Sequence, residues 1–172
     1  TGASSGIGVE FARELARRGY DVIITARRLE RLEQVAADIR RDFPVDVVVL
    51  PSDLAAPDGP RTLYDDVTAL GKGVTMLVNN AGVGHSSALL DRTVEMLEPV
   101  SRRNTAAVAT LTRLFAEDMR TAGRGHILNN GSFSAIQPTP HYAVYSGTKA
   151  FVLAFSQAAS HMNPDESCAI AS

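Results

Sequence analysis

Thr1-Gly-Ala-Ser-Ser-Gly-Ile-Gly8 opens the chain and leads directly into residues 6–19, where apolar side chains recur at helical spacing as far as Gly19. The glycines permit a tight turn and let the backbone approach a pyrophosphate, and a helix start offers free N–H groups with a partial positive charge. The spacing is G-x-x-x-G-x-G, and it is not a P-loop because no Gly-Lys-Ser/Thr follows. The segment predicts a dinucleotide-binding turn; the alternative is a glycine-rich helix start that binds nothing.

Apolar runs alternate with amphipathic stretches along the rest of the chain, which is typical of βαβ units. We predict strands at 21–26, 45–50, 75–78 and 125–129, and helices at 29–42, 58–71, within 92–121 and at 142–160. The strands are almost entirely apolar, as expected when helices cover both faces of a parallel sheet. The expected fold is α/β, a Rossmann-like doubly wound parallel sheet in three αβα layers, formed by residues 1–172 as a single, partial domain. Ligands bind such sheets at the carboxyl ends of the strands.

The composition of the chain argues against several classes of function. The 172 residues carry a formal net charge of −2, which gives no general attraction to nucleic acid or acidic membranes. Cys168 is the single cysteine, so an internal disulfide is impossible and a cytoplasmic location is predicted. No apolar run reaches the length of a membrane span. His85 and His141 are not spaced as metal ligands, so we expect no metal site.

Tyr145 and Lys149 lie four residues apart in Tyr-Ser-Gly-Thr-Lys, a spacing that puts both on one helix face. An ammonium beside a phenol favours the phenolate, so the phenol can give or accept a proton near neutral pH. The chain has two lysines against fifteen arginines, yet one of them stands here. The alternative is a surface tyrosine with a solvated lysine one turn later. Ser132, thirteen residues before Tyr145, is the predicted partner hydroxyl, with Ser134 as its competitor.

The end of the second predicted element bears on the choice of cofactor. A dinucleotide fold that binds a ribose 2′-hydroxyl has an Asp or Glu about 20 residues after the turn. Here the sequence is Thr25-Ala26-Arg27-Arg28, without a carboxylate. A guanidinium matches the geometry of a phosphate, so Arg27 foremost, and then Arg28, predict a 2′-phosphate and hence NADP(H) over NAD(H). The alternative is that both arginines point into water.

Four separated motifs occur in the order and at the spacing found in one known family. They are the turn at 1–8, Asp53-Leu54, Asn79-Asn80-Ala81-Gly82, and Ser132 with Tyr145-x-x-x-Lys149. With these motifs the chain resembles the short-chain dehydrogenase/reductase family from residue 1 to about residue 160. Tyr142 is not a second candidate for the catalytic tyrosine, because Ser146 rather than a lysine follows four residues later.

The resemblance implies a set of cofactor-binding residues: Gly2, Ser4, Ser5, Gly6, Ile7, Gly8, Arg27, Arg28, Asp53, Leu54, Asn80, Ala81, Gly82, Tyr145 and Lys149. Asp53 would accept a hydrogen bond from the adenine amino group, with Leu54 beside the ring. The alternative for Asp53 is an ordinary turn or cap residue.

The resemblance also implies a catalytic set, Ser132, Tyr145, Lys149 and Asn104. Ser132 and Tyr145 would hydrogen-bond the substrate carbonyl oxygen, and Tyr145 would donate its proton as hydride arrives. Lys149 would stabilise the phenolate and contact the nicotinamide ribose. Asn104 would anchor a proton relay through water; the alternative for it is a polar residue on an exposed helix face.

The sequence also departs from the family pattern at both ends. The strand expected before Thr1 is missing, which should leave two sheet edges exposed, and so is everything after the catalytic helix, including the next strand. The tail at 161–172 does not resemble the family's path into that strand, so we expect a partial sequence of a longer chain, unstable and inactive by itself.

The predicted function is an NADP(H)-dependent oxidoreductase that transfers hydride between nicotinamide and a carbonyl or secondary-alcohol substrate of lipophilic character. A homodimer or homotetramer is expected by resemblance. The alternative is an inactive NADP-binding or interaction module left by truncation. Binding of nucleic acid is disfavoured by the acidic charge balance.

Overall fold

The computed structural model describes residues 1–161 and 168–172, in which helices and strands alternate. The helices are α1 (Ile7–Arg17), α2 (Leu29–Asp42), α3 (Gly59–Ala69), α4 (Val94–Ser101), α5 (Ala107–Thr121) and α6 (Ala143–His161). The strands are β1 (Val22–Ala26), β2 (Val47–Pro51), β3 (Met76–Asn79), β4 (His126–Asn129) and β5 (Ala169–Ala171). Short 3-10 turns cover Leu89–Asp91 and Phe133–Ala135, and a π-helical segment, Arg102–Ala106, joins α4 to α5.

Within the described residues every strand pair is parallel. One sheet has the order β1-β2 and the other β3-β4-β5. The register pairs Ile24 with Val49 in the first sheet, and Leu77 with Ile127 in the second. The parallel strands alternate with helices, so the predicted α/β class is confirmed.

The prediction that the strand after the long last helix is missing is wrong. Ala169–Ala171 pairs in parallel with β4, with Ile170 opposite Ile127. Just before it, Cys168 is buried beside Met119, and this contact fixes the tail against the core. A strand of this length is too short to produce an alternating pattern, so it could not be recognised from the sequence. Residues 162–167 of the predicted tail lie outside the described residues.

A cavity of about 510 Å³ lies between the two sheets, and the edge strands β1 and β3 both line it. The first residues of the chain cross one end of it. The Thr1 amino group donates to the Val78 carbonyl at 2.7 Å, and the Ala3 N–H donates to the Thr25 carbonyl at 3.2 Å. Among the described residues β1 pairs only with β2 and β3 only with β4, so each of the two strands has one edge without a strand partner.

Each sheet has its own core. On the β1-β2 sheet, α2 buries Leu32, Ala36 and Ile39, which recur at steps of four and three residues and so share one face. On the β3-β4-β5 sheet, α5 buries Leu111 and Phe115 at the same helical spacing. These two faces hold the helices against the strands and leave the strand ends open to solvent.

A buried polar network fixes the ends of β3 and β4. Asn79 and Asn129 are register partners, and the Asn79 amide donates to Asn129 Oδ1 at 2.9 Å and to Thr112 Oγ1 at 3.1 Å. The Asn129 amide in turn donates to Ser156 Oγ at 2.9 Å, so helices α5 and α6 are joined to the strand ends. Buried amides that find partners in this way specify one packing arrangement.

Candidate active site

A crevice of about 620 Å³ opens where the strands end, at the edge of a doubly wound sheet that usually binds ligands. Most residues predicted to bind a cofactor form its wall: Gly2, Ser4, Ser5, Gly6, Ile7, Arg27, Arg28, Leu54, Asn80, Ala81, Gly82, Tyr145 and Lys149. Gly8, Asp53, Asn104 and Ser132 lie outside this wall. The structure therefore brings the glycine turn and the Tyr145–Lys149 pair to one cavity.

The glycine turn has the backbone that its sequence suggests. Gly2 and Gly6 adopt positive φ angles of 69° and 59°, where L side chains are strained. A Cβ on Gly8 would overlap the Gly2 carbonyl oxygen, so this glycine permits the close return of the loop. Open space lies beside Gly6, and α1 begins at the next residue. The turn thus offers backbone N–H groups at a helix start, as an anion site requires.

Arg28 lies against this turn. Its Nη2 donates to Ser4 Oγ at 3.1 Å and to Ser5 Oγ at 3.0 Å. Arg27 is exposed on the same wall of the crevice. Two guanidinium groups and two hydroxyls therefore converge at one end of the crevice, which suits a phosphate group.

Asparagine side chains form hydrogen bonds along the opposite wall of the crevice. The Asn80 amide donates to the Thr1 carbonyl at 3.1 Å, and Asn130 donates to Asn80 Oδ1 at 2.9 Å. The hydroxyl of Thr1 accepts the backbone N–H groups of Asn80 and Ala81 at 3.1 and 3.0 Å. The segment after β3 is thereby held rigidly beside the glycine turn.

Lys149 is buried on α6, and its Nζ donates to the Asn130 carbonyl at 2.6 Å. Burial lowers the pKa of this ammonium from its usual value. Its Nζ lies 5.7 Å from the centre of the Tyr145 ring. A Cβ on Gly82 would lie 3.7 Å from Nζ, so the segment after β3 passes close to this lysine. Lysine and tyrosine therefore share a helix face that points into the crevice, as their spacing predicts.

Asn104 forms hydrogen bonds both to the segment after β3 and to α6. Its Oδ1 accepts the Val83 N–H at 3.0 Å, and its Nδ2 donates to the Val83 carbonyl at 2.9 Å and to Thr148 Oγ1 at 3.1 Å. Thr148 donates in turn to the Tyr145 carbonyl at 2.8 Å. Asn104 thus links the segment after β3 to the helix that carries Tyr145. It is buried, not on an exposed face, and its role in a proton relay stays a prediction.

The Tyr145 ring packs against backbone on one side and another ring on the other. A Cβ on Gly84 would lie 2.8 Å from Tyr145 Cδ2, so the ring occupies space that only a glycine leaves free. Tyr142 meets Tyr145 edge to face, with ring centroids 6.1 Å apart. Tyr142 therefore supports the ring of Tyr145 and is not part of the crevice wall.

Ser132 lies half-buried just before the turn Phe133–Ala135, which packs on α6. Its Oγ accepts the Ser134 N–H at 3.2 Å, while the Ser134 hydroxyl lies 3.5 Å from that of Thr139. Beyond it, Phe133 and Ile136 are largely exposed at 71% and 75%. Ser132 and these apolar side chains therefore stand beside the helix that carries Tyr145.

Sequence reasoning did not assign several residues of this site, among them Arg103, Asn130 and Thr148, and it gave Thr1 no role beyond its place in the glycine turn. Arg103 lines the crevice and pairs with Asp53 at 3.0 Å. One signal was available: β4 ends in Asn129-Asn130 just as β3 ends in Asn79-Asn80, and matched strand ends meet at one sheet edge. A second signal was the position of Arg103 among the inward-facing apolar residues of its helix. A buried charge at such a position needs an ionic or hydrogen-bonding partner.

In residues 1–161 and 168–172, no group of His, Cys, Asp and Glu side chains could hold a metal ion. Over the same part of the chain, no helix is both long and apolar enough to cross a membrane.

Comparison with known proteins identifies the fold family. The family model described as short chain dehydrogenase matches residues 1–167. Very-long-chain 3-oxoacyl-CoA reductase of Eremothecium gossypii is 38% identical over 167 residues, covering 92% of this chain and 47% of that protein. The chain spans about half the length of the curated relatives it matches.

Solved structures agree. The bulky-bulky ketone specific alcohol dehydrogenase from Comamonas testosteroni superposes with a TM-score of 0.92 at 30% identity, covering 98% of this chain and 67% of that one. The short-chain dehydrogenase from Sphingobium yanoikuyae, solved in complex with NADPH, gives a TM-score of 0.91 at 33% identity, covering 98% of this chain and 66% of that one. The resemblance inferred from the motifs is thus confirmed, and the chain belongs to the short-chain dehydrogenase family.

Proposed function

We propose that this protein is an NADP(H)-dependent oxidoreductase that interconverts a carbonyl compound and its secondary alcohol. The observation that carries the proposal is the composition of one crevice, with the glycine turn and two arginines at one end and Tyr145 with Lys149 at the other. A cofactor with a phosphate-bearing end and a reactive end suits such a cavity. The relative from Sphingobium yanoikuyae was solved with NADPH, which supports the choice of cofactor.

The residues fit this cofactor. The backbone at Gly2 and Gly8 returns too closely for a side chain, and the open space at Gly6 suits a pyrophosphate against the start of α1. NADPH supplies the hydride when bound, while the protein positions the reactants and polarises the carbonyl. In this proposal Asn80, Ala81 and Gly82 form the wall along the cofactor, and Leu54 forms the wall at the adenine end.

Tyr145 is the proposed general acid and base. Its hydroxyl would hydrogen-bond the carbonyl oxygen together with Ser132, and would donate its proton as negative charge grows there. General acid catalysis of this kind contributes about 10²–10⁴-fold in rate, and a donor aimed at the developing oxyanion about 10²–10³-fold. Lys149, held by the Asn130 carbonyl, places a positive charge 5.7 Å from the centre of the Tyr145 ring.

The arginine pair is the proposed site of the 2′-phosphate. Arg28 already shares its guanidinium with the hydroxyls of Ser4 and Ser5, so its conformation is fixed before a phosphate arrives. Arg27 can approach from the exposed side. Less ordering is then needed on binding, which favours affinity.

Replacing Arg28 with aspartate should shift the preference from NADPH to NADH. Loss of hydrogen bonds to a charged group, worth about 1.5–3 kcal/mol, predicts an affinity for NADPH roughly 10–100-fold weaker. Fluorescence titration with both cofactors measures the effect, with Arg27→Asp as the second variant and Arg31→Asp, on the exposed side of α2, as the control. An unchanged ratio of the two affinities in both Arg27→Asp and Arg28→Asp would refute the phosphate site.

The proposed substrate is a lipophilic ketone or a 3-oxoacyl thioester. Exposed Phe133 and Ile136 follow Ser132 and offer an apolar wall on the substrate side. The printed names of the relatives point the same way, since one reduces a very-long-chain 3-oxoacyl-CoA and another is specific for bulky-bulky ketones.

The test measures NADPH consumption through the loss of nicotinamide absorbance. The substrates are short polar ketones, bulky aryl ketones and 3-oxoacyl-CoA esters of increasing chain length. The proposal predicts turnover that rises with apolar size. A second candidate is a non-catalytic NADP-binding module, because the residues that bind the cofactor and the residues that would do the chemistry are separate parts of the crevice wall. NADPH binding without consumption of any carbonyl compound would select that module.

A further inference from the structure

Arg103 is a buried guanidinium at the adenine end of the crevice. Its side chain is only 10% exposed, and it forms part of the crevice wall together with Leu54. Its Nη2 donates to Asp53 Oδ1 at 3.0 Å. The family motifs that identify the chain do not include this arginine.

The π-helical segment Arg102–Ala106 explains how the arginine reaches this place. In it two consecutive residues, Arg103 and Asn104, are both buried. Asn104 points to Val83 near the catalytic end, whereas Arg103 points to Asp53 at the adenine end. Single π-turns inside helices often occur at functional sites. This one sends neighbouring side chains towards the two ends of a single crevice.

The contacts of Asp53 leave one of its oxygens available. Oδ1 accepts both the Ala55 N–H at 3.1 Å and the Arg103 guanidinium, while the side chain as a whole is 49% exposed. Both hydrogen bonds that Asp53 accepts from described residues end on Oδ1, so the lone pairs of Oδ2 can meet a ligand donor. Partial burial raises the pKa of Asp53, but hydrogen bonds from Ala55 and Arg103 and the charges of Arg103 and Arg27 outweigh it. The net pKa lies below the usual value, so the carboxylate stays ionised.

A purely structural role explains the pair poorly. The Arg103 side chain is buried, so its guanidinium has lost most of its hydration, and an apolar residue of similar volume is often as stable at such a position. The guanidinium also adds a positive charge on the wall that carries Arg27 and Arg28. Without it, the carboxylate of Asp53 would repel a nearby phosphate of the same sign.

We propose that Arg103 is a positioning residue for the adenosine half of NADP(H), an inference that rests on the proposed function. It holds Asp53 by Oδ1 so that Oδ2 can accept a hydrogen bond from the adenine amino group. It also offsets the carboxylate charge next to the 2′-phosphate site.

The test uses two halves of the cofactor as probes, adenosine 2′,5′-bisphosphate and reduced nicotinamide mononucleotide. Arg103→Met keeps an unbranched apolar stem and removes the guanidinium. It should weaken binding of adenosine 2′,5′-bisphosphate roughly 10-fold or more, the loss expected for a charged hydrogen bond, and leave binding of the mononucleotide unchanged. Arg103→Lys should recover part of the loss. The matched control is Arg102→Met, which removes the neighbouring exposed arginine paired with Glu98.

Equal weakening of both probes by Arg103→Met would mean a general structural role and would overturn the inference, as would unchanged binding of adenosine 2′,5′-bisphosphate. Asp53→Asn, at a half-exposed position, gives a second test that does not depend on the folding of the arginine variant. It should weaken binding of adenosine 5′-monophosphate, a probe that carries the adenine without the 2′-phosphate, and unchanged binding of this probe would refute the role of Asp53. If the wild-type protein bound neither adenosine 2′,5′-bisphosphate nor reduced nicotinamide mononucleotide, that result would instead refute the proposed function.

Discussion

At the scale of single residues, the position of Tyr145 depends on a neighbour that has no side chain. Gly84 leaves the space that the tyrosine ring fills, and Tyr142 supports the ring from another side. The ring is therefore held by packing, while Lys149 is held by the Asn130 carbonyl. Precise placement of reacting groups is a large part of catalysis, so such supports matter as much as the reactive atoms.

Gly84→Ala should lower turnover sharply while leaving NADPH affinity nearly unchanged. The added methyl would lie 2.8 Å from Tyr145 Cδ2, so the ring must move. Displacement of a catalytic group by about 1 Å can cost roughly 10²-fold in rate. Steady-state assays and NADPH titration measure the two effects. The control is Gly147→Ala, on the exposed side of α6 with open space around it, which should keep turnover and add up to about 1 kcal/mol to the free energy of unfolding. Unaltered turnover in Gly84→Ala would show that the ring position is not critical.

Some site residues were predictable because their relation is local. Tyr145 and Lys149 share a helix face by spacing alone, and the glycine turn stands directly before its helix. Arg103 and Asn130 could not be assigned in this way, because their partners are distant in sequence: Arg103 meets Asp53 fifty residues away. Arg103 and Asn130 therefore meet their partners only in the folded chain.

At the scale of elements, β3 and β4 support the site through paired asparagines. Asn79 and Asn129 point into the core and join helices α5 and α6 to the strands, whereas Asn80 and Asn130 point towards the crevice. Alternation along a strand sends neighbouring side chains to opposite faces. One two-residue repeat therefore serves both the core and the site.

Asn129→Ala should destabilise the fold, because it leaves the Asn79 amide and the Ser156 hydroxyl without this partner. An unsatisfied buried polar group costs roughly 1–3 kcal/mol, so a loss of about 2–4 kcal/mol in the free energy of unfolding is expected. Urea denaturation measures it. Gln157→Ala, on the exposed side of α6, is the control and should change stability by less than about 0.5 kcal/mol. A comparably small change in Asn129→Ala would mean that the network carries little stability.

The elements with an apolar pattern were predicted well, whereas the shortest strand and the π-helical segment were not. The predicted helix at 29–42 and the strand at 21–26 correspond closely to α2 and β1. The strand Ala169–Ala171 was missed, since a few residues carry no period and its stability comes from pairing with β4. The π-helical segment was also not predicted, because it lies inside one long stretch of helix-forming residues and has no sequence signal of its own.

At the scale of the whole molecule, two parallel sheets stand side by side with a cavity between their facing edges. Thr1 and Ala3 bond to both edges near the crevice and so keep the strand ends in place. Away from these contacts, the backbone groups of β1 and β3 that point to the cavity have no strand partner among the described residues. Unpaired edges lower local stability and invite association.

Amide hydrogen exchange should detect these edges. Within β1 and β3, alternate residues face the paired strand, so the N–H groups of Ile24 and Leu77 point to β2 and β4 while those of Ile23 and Met76 point to the cavity. Exchange at Ile23 and Met76 should be faster by roughly ten-fold or more. Equal protection of all four amides would show that the edges are covered in solution.

The central claim is that Tyr145 delivers a proton to a carbonyl oxygen beside a nicotinamide bound in the crevice. Tyr145→Phe keeps the ring that packs on Gly84 and removes only the hydroxyl. The measurement that tests this most directly is turnover of the phenylalanine variant with a reducible ketone, alongside its affinity for NADPH. The account predicts a loss of about 10²–10⁴-fold in turnover with NADPH affinity retained. A variant that binds NADPH and keeps most of its turnover would contradict it.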